Sequence, residues 1–141
     1  MRVVLDASVI VGVLVADARQ PQILAHLAGW LGSGDELHAP AVLPFEVANV
    51  LARLVFDRTM EIGHVTRIWN DLAELGLVLH PFDLTHDGPV VASVTARLRR
   101  RHATDSTYVC LAQRLRTTLW TLDAPLARNA ADAGFPVELI S

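Results

Sequence analysis

Four carboxylates stand where a folded chain could use them. Asp6 ends the apolar run Arg2–Leu5, and Asp123 follows the run Thr118–Thr121 by two residues. Glu46 lies among Phe45, Val47, Ala48 and Val50, early in a helical apolar pattern, and Asp105 opens the helical stretch Asp105–Arg116. In α/β proteins ligands bind at the carboxyl ends of the strands. Helices that follow strands begin at that same rim. Carboxylates gathered there would raise one another's pKa and resist ionisation, and the chain has no lysine to neutralise them. A hard divalent cation removes that penalty. An oxygen-only donor set without thiolate or imidazole selects Mg²⁺ or Mn²⁺ over zinc. Such an ion polarises a phosphoryl oxygen and lowers the pKa of bound water. The chemistry this suits is in-line hydrolysis of a phosphodiester.

Each acid taken singly also has a structural explanation. Aspartate is a favoured helix N-cap, which would account for Asp6, Asp105 and Asp123 one at a time. Glu46 is harder to explain in this way, because carboxylates among apolar neighbours are rarely left unpaired. Ser8 and Thr121 each sit two residues from one of the aspartates. Their hydroxyls could orient a carboxylate or a water, or satisfy local backbone groups. Arg100, Arg101 and His102 lie just before Asp105. A guanidinium there could hold a substrate phosphate bidentately, although cations at a helix end are also favoured by the macrodipole. The six histidines lack His-Glu-x-x-His spacing, and no Gly-x-Ser-x-Gly elbow or phosphate-binding glycine loop is present.

The elements that must position these residues alternate between strand and helix. Strands are expected at Arg2–Leu5, Glu36–Ala39, Leu77–His80, Thr118–Thr121 and Pro136–Ile140. The helical stretches are Ala7–Val15, Pro21–Leu31, Val42–Arg58, Glu61–Leu75, Thr85–Arg101, Asp105–Arg116 and Pro125 to Gly134. Gly76 and Gly134 read as C-terminal stops, and Thr104 or Asp105 as the cap of its helix. This alternation implies a largely parallel sheet with helices on both faces. Asp105 follows a helix rather than a strand, so its convergence on the rim rests on weaker ground than that of the other three.

A length of 141 residues suits one domain, residues 1–141. Hydrophobic residues form 52% of the chain and charged residues 19%, which excludes disorder. The net charge of −3 gives no global basic field. Cys110 is the only cysteine, so no internal disulfide can form, and a reducing, cytoplasmic setting fits. It reads as a small core residue. Arg2 before an apolar stretch, with Val15-Ala16-Asp17-Ala18 after it, loosely imitates an export signal. Asp6 interrupts that stretch, so an intact N-terminus is expected. No apolar run is long enough to span a membrane.

Four segments together resemble PIN-domain nucleases. They are Val3-Val4-Leu5-Asp6-Ala7-Ser8, Phe45-Glu46-Val47-Ala48-Asn49-Val50-Leu51, Thr104-Asp105-Ser106-Thr107-Tyr108-Val109-Cys110-Leu111-Ala112 and Leu119-Trp120-Thr121-Leu122-Asp123-Ala124-Pro125-Leu126. The short single-domain length is similar to that of VapC-type toxins of toxin–antitoxin pairs. The resemblance implies a PIN-like α/β/α sandwich with a five-stranded, mostly parallel sheet. It assigns Asp6, Glu46, Asp105 and Asp123 as the acidic metal-binding set. It further implies Mg²⁺- or Mn²⁺-dependent cleavage of RNA, a cognate antitoxin and a homodimer. Ser106 departs mildly from the alanine usual after the third acid, and the family's fourth acid is its most variable.

Other readings of an aspartate after the first strand are a phospho-receiver or an aspartate-nucleophile phosphatase. Both resemble families that need a lysine near the phosphoryl group, and the phosphatases carry a second aspartate where Ser8 stands. A PIN-fold RNA-processing nuclease outside a toxin–antitoxin pair, or a non-catalytic PIN-like binding module, are further alternatives. Trp30, Leu31, Val55, Phe56, Ile62 and Trp69 could form apolar surface for a partner, although core packing would explain the same residues.

Overall fold

The computed structural model describes all residues, 1–141. The elements run in the order β1 (Arg2–Leu5), α1 (Ala7–Leu14), α2 (Gln20–Gly32), β2 (Glu36–Pro40), α3 (Leu43–Phe56), α4 (Ile62–Glu74), β3 (Val78–His80), α5 (Asp87–Arg97), α6 (Thr104–Arg114), β4 (Leu119–Thr121), α7 (Ala124–Ala133) and β5 (Val137–Leu139). The strands form one sheet in the order β3-β2-β1-β4-β5, and every pairing is parallel. The expected α/β class and layered architecture are therefore present.

Strand β1 is central because it is the most apolar. Val3, Val4 and Leu5 are all buried, as a strand covered on both faces requires. Right-handed crossovers then fix the layers. Helices α1–α4 lie on one face, and α5–α7 cover the other. On that second face the Asn129 side chain of α7 donates to the Leu98 carbonyl beyond α5, at 3.1 Å. From β1 the chain moves towards β2, whereas from β4 it moves towards β5. The carboxyl ends of β1 and β4 therefore flank a topological switch point, where α/β sheets open a crevice.

The helix-end residues differ from expectation in one informative respect. Helix α5 stops at Arg97 instead of continuing to Arg101. Arg99 takes a left-handed conformation, φ 55°. The Arg99 N–H donates to Ala96 O and the Arg100 N–H to Thr95 O, which is the Schellman ending usually built on glycine. Arg58 and Arg116, with φ of 59° and 53°, end α3 and α6 with the same pair of bonds. Gly76 and Gly134 hold positive φ at the ends of α4 and α7, as their sequence positions suggested. Helix α6 starts at Thr104 after Ala103 without a side-chain cap, so neither Thr104 nor Asp105 caps it.

Other expectations are also corrected. Phe56 is 87% exposed and Ile62 71%, and Leu31 also faces solvent, so core packing does not explain these three. Trp30 is partly buried, its ring 5.6 Å from that of Trp120. Cys110 is half-buried against the core, and burial raises its thiol pKa to about 11. No helix is long and apolar enough to cross a membrane.

Arg58 is exposed and makes no ion pair within 4 Å, so only the helix C-terminus offsets the strain of its left-handed backbone, and solvent screens that interaction. Arg58→Gly is expected to raise stability by about 0.5–1 kcal/mol, measured by urea unfolding. A loss of stability would show that the arginine stem contributes more than the backbone strain costs.

Candidate active site

Strand β1 delivers Asp6 to the switch point. There it caps α1, accepting the Val9 N–H at 3.2 Å. Its two carboxylate oxygens also receive the hydroxyls of Ser8 and Thr121. Thr121 belongs to β4, so this bond locks Asp6 across the two strands that flank the crevice. The hydroxyls are themselves anchored: the Leu122 N–H donates to Ser8 Oγ at 3.1 Å and the Asp123 N–H to Thr121 Oγ1 at 3.0 Å. Asp6 is only 6% exposed.

Glu46 comes from the first turn of α3, which starts at the carboxyl end of β2. Its partner is Tyr108 of α6, whose hydroxyl donates to Glu46 Oε1. Asp105 lies in the first turn of α6. That helix leads into β4, so it runs against the strands and its N-terminus lies at the carboxyl rim. This removes the doubt about a helix that follows another helix. Asp123 ends β4 and caps α7, accepting the Leu126 N–H at 2.9 Å. The capping explanation thus holds for Asp6 and Asp123 and fails for Asp105.

The acids share one electrostatic neighbourhood. Burial raises the pKa of Asp6, opposed by hydrogen bonds from Ser8, Thr121 and the Val9 N–H, and the charge of Asp105 adds to the rise. Burial also raises Glu46, with Tyr108 opposing and the charges of Asp105 and Asp6 adding. Tyr108 is driven upward as well, first by burial and then by Glu46. Asp105 and Asp123 both meet a cation. One Arg100 nitrogen, Nη2, donates to Asp105 Oδ2 at 2.9 Å and to Asp123 Oδ2 at 2.7 Å. Burial disfavours the guanidinium charge, but Asp123 and Asp105 outweigh it and hold Arg100 protonated. Arg101 and His102 remain exposed and make no side-chain hydrogen bond or ion pair at the site.

The donor chemistry fits a hard cation, since the acids offer only oxygen donors and already attract a positive group. As arranged, however, no three acidic, imidazole or thiol groups stand close enough to hold a metal ion. Asp6 faces its two hydroxyls, Glu46 faces Tyr108, and Arg100 bridges the other pair.

Several participants were absent from the sequence reading. Tyr108 is the clearest, and its position three residues after Asp105 on α6 places both on one helix face. A groove of about 480 Å³ adjoins the acids, lined by Ser8, Glu46, Asn49, Arg19, Arg53 and Leu122 among others. Arg53 shares the face of α3 with Glu46 at a spacing of seven residues, a legible signal. Arg19 had none, because it reaches the groove through its bond to the Leu122 carbonyl at 3.1 Å. A separate cavity of about 350 Å³, lined in part by His80, Phe82, Asp87 and Arg114, includes none of the four acids.

No protein-family model matches the chain, and no curated protein matches it. Solved structures do. The chain is similar to FitAB bound to an IR36 DNA fragment, at 17% identity and TM-score 0.71 over 97% of this chain and 94% of that one. It is similar to PAE2754 from Pyrobaculum aerophilum, at 16% identity and TM-score 0.68 over 92% and 79%. It also matches VapBC2 from Rickettsia felis bound to a DNA fragment from their promoter, at 12% identity and TM-score 0.65 over the full length of both chains. The chain has the PIN-domain fold of these structures.

The folded pKa of Asp6 lies above its ordinary value of 3.8. Without metal, the folded state therefore holds its proton to higher pH than the unfolded chain, and stability falls as pH rises through the folded pKa. Asn caps helices as well as Asp. In chelator, Asp6→Asn is thus expected to unfold at a temperature equal to or above wild type near pH 7.5, and to lose that advantage by about pH 4. A wild type more stable than the variant at the higher pH would contradict this.

Proposed function

We propose that this protein is a Mg²⁺- or Mn²⁺-dependent endoribonuclease that acts as the toxin of a toxin–antitoxin pair. The observation that supports the reading is that Asp6, Glu46 and Asp105 bear on one another electrostatically in a PIN fold, with Asp123 joined to Asp105 through Arg100. Asp6, Glu46 and Asp105 would hold the ion, with Asp123 completing the site or positioning a water. The chemistry supplied by Mg²⁺ or Mn²⁺ there is polarisation of a phosphoryl oxygen and acidification of water.

The chain's own residues supply orientation and binding. Ser8 and Thr121 fix both oxygens of Asp6, so the central ligand is preorganised. Tyr108 holds one oxygen of Glu46 and leaves the other open. Arg19 and Arg53, on the groove beside Glu46, would hold the phosphates that flank the scissile bond, because backbone contacts provide most nucleic-acid affinity. Arg100 contacts Asp105 directly, and Arg101 and His102 follow it in the chain, exposed. The overall charge of −3 gives no broad basic surface, so binding would rely on these local cations.

An antitoxin is the proposed protein partner. Support comes from the FitAB and VapBC2 complexes, which share the fold, and from an apolar groove of about 460 Å³ between α3 and α4. Val55, Phe56, Ile62 and Trp69 line it. Exposed apolar surface of this kind is unusual on a chain that works alone. Self-association as a homodimer belongs to the same proposal, as does a cytoplasmic location.

Purified protein incubated with single-stranded RNA and Mn²⁺ or Mg²⁺ is expected to cleave it. Asp6→Asn and Asp105→Asn should each lower the rate by about 100-fold or more, and Thr121→Val by about 10- to 100-fold. Undiminished cleavage by Asp6→Asn, or none by wild type, would reject the nuclease. Expression should arrest growth and a neighbouring gene should relieve it; cleavage without growth arrest would favour an RNA-processing enzyme.

A further inference from the structure

Arg100 is placed with more care than a surface ion pair needs. It follows the left-handed Arg99 in the Schellman ending of α5, where its own N–H bonds to Thr95 O at 3.3 Å. The Thr95 hydroxyl in turn lies 2.7 Å from Ser106 Oγ, beside Asp105. The turn brings the Arg100 side chain to Asp105 and Asp123, and Thr95, which holds the Arg100 N–H, is itself bonded to the helix that carries Asp105.

The contact it makes is unusual for an arginine. A guanidinium held for stability presents its planar fork to one carboxylate. Here a single nitrogen lies between two carboxylates, 2.9 Å from Asp105 and 2.7 Å from Asp123. The Nε is buried with no hydrogen-bond partner, and leaving such a donor unsatisfied is costly. One nitrogen shared between two carboxylate oxygens bridges the acids instead of gripping either one bidentately.

We infer that Arg100 is an internal counterion that occupies the acidic site of the metal-free protein and is displaced from Asp105 and Asp123 when a divalent cation enters. The inference rests on the metal-dependent reading above and deepens it, because it assigns one residue the control of metal affinity. With Arg100 in place, the site is partly neutralised, and Asp105 and Asp123 are both engaged by its guanidinium. Displacement leaves the guanidinium tethered at the rim, within reach of a substrate phosphate. The order of events follows: metal first, then the arginine becomes available to RNA.

The test compares wild type, Arg100→Gln and Arg100→Lys by calorimetric titration with Mn²⁺, and by thermal unfolding in chelator and at rising Mn²⁺. Arg100→Gln should bind Mn²⁺ about ten-fold tighter, the scale of two partly buried ion pairs released. Arg100→Lys, which keeps the charge, should fall between the two. In chelator Arg100→Gln should unfold at a lower temperature than wild type, and the gap should close as Mn²⁺ rises. Equal Mn²⁺ affinities, with a stability gap that ignores Mn²⁺, would overturn the counterion role while leaving the metal reading intact. A variant that fails to fold at every Mn²⁺ concentration would also overturn it, marking Arg100 as a structural ion pair. Absence of Mn²⁺ binding by all three proteins, with Asp6→Asn no different, would reject the metal reading and this inference together.

Discussion

The structure depends on keeping an ionisable carboxylate buried at the end of its central strand. Asp6 cannot retreat to solvent, because β1 is flanked by β2 and β4 and covered on both faces. Charge there is opposed by burial and by the neighbouring acid Asp105. Much of the surrounding polar architecture reads as an answer to that constraint. Ser8, Thr121 and the Val9 N–H give Asp6 donors on both oxygens. Tyr108 donates to one oxygen of Glu46, and Arg100 to one oxygen each of Asp105 and Asp123. Each device lowers the cost of bringing acids together without removing the acids.

Those devices come from different elements, and this ties the site to the fold. Thr121 is on β4 and Ser8 on α1, so the Asp6 network bridges the crevice that the strand order creates. Tyr108 on α6 reaches Glu46 on α3, linking helices from opposite faces of the sheet. Loss of packing between layers would therefore also separate the acids. The apolar groove between α3 and α4 lies elsewhere and presents Phe56 and Ile62 to solvent. The candidate site and this groove can thus vary independently, although α3 contributes Glu46 to one and Val55 to the other.

The arginine-only cation content takes on a meaning once the backbone is seen. Three arginines adopt the left-handed conformation at helix ends where glycine is usual. A cation at that place interacts favourably with the helix C-terminus. At α5 the same device also aims Arg100. Composition could register the absence of lysine, but not that one arginine would sit between two aspartates.

The sequence by itself determined the α/β alternation, the central apolar strand and the four acids at strand and helix boundaries. These are local properties: hydrophobic period, β-branched runs, prolines near helix starts and carboxylates at the breaks. It also placed Ser8 and Thr121 beside aspartates, since two residues of separation is itself a near contact. Tertiary structure decided which distant groups meet. Tyr108 and Glu46 are far apart in the chain, and so are Arg19 and Leu122, and only sheet order and helix packing join them. The end of α5 was also beyond local reading, because the helix-favouring run through Arg101 is cut by a turn that the rim contacts of Arg100 reward. Exposure of Phe56 and Ile62 was undecided for the same reason. An apolar helical face specifies that something packs against it, while the rest of the fold determines whether that surface is already covered.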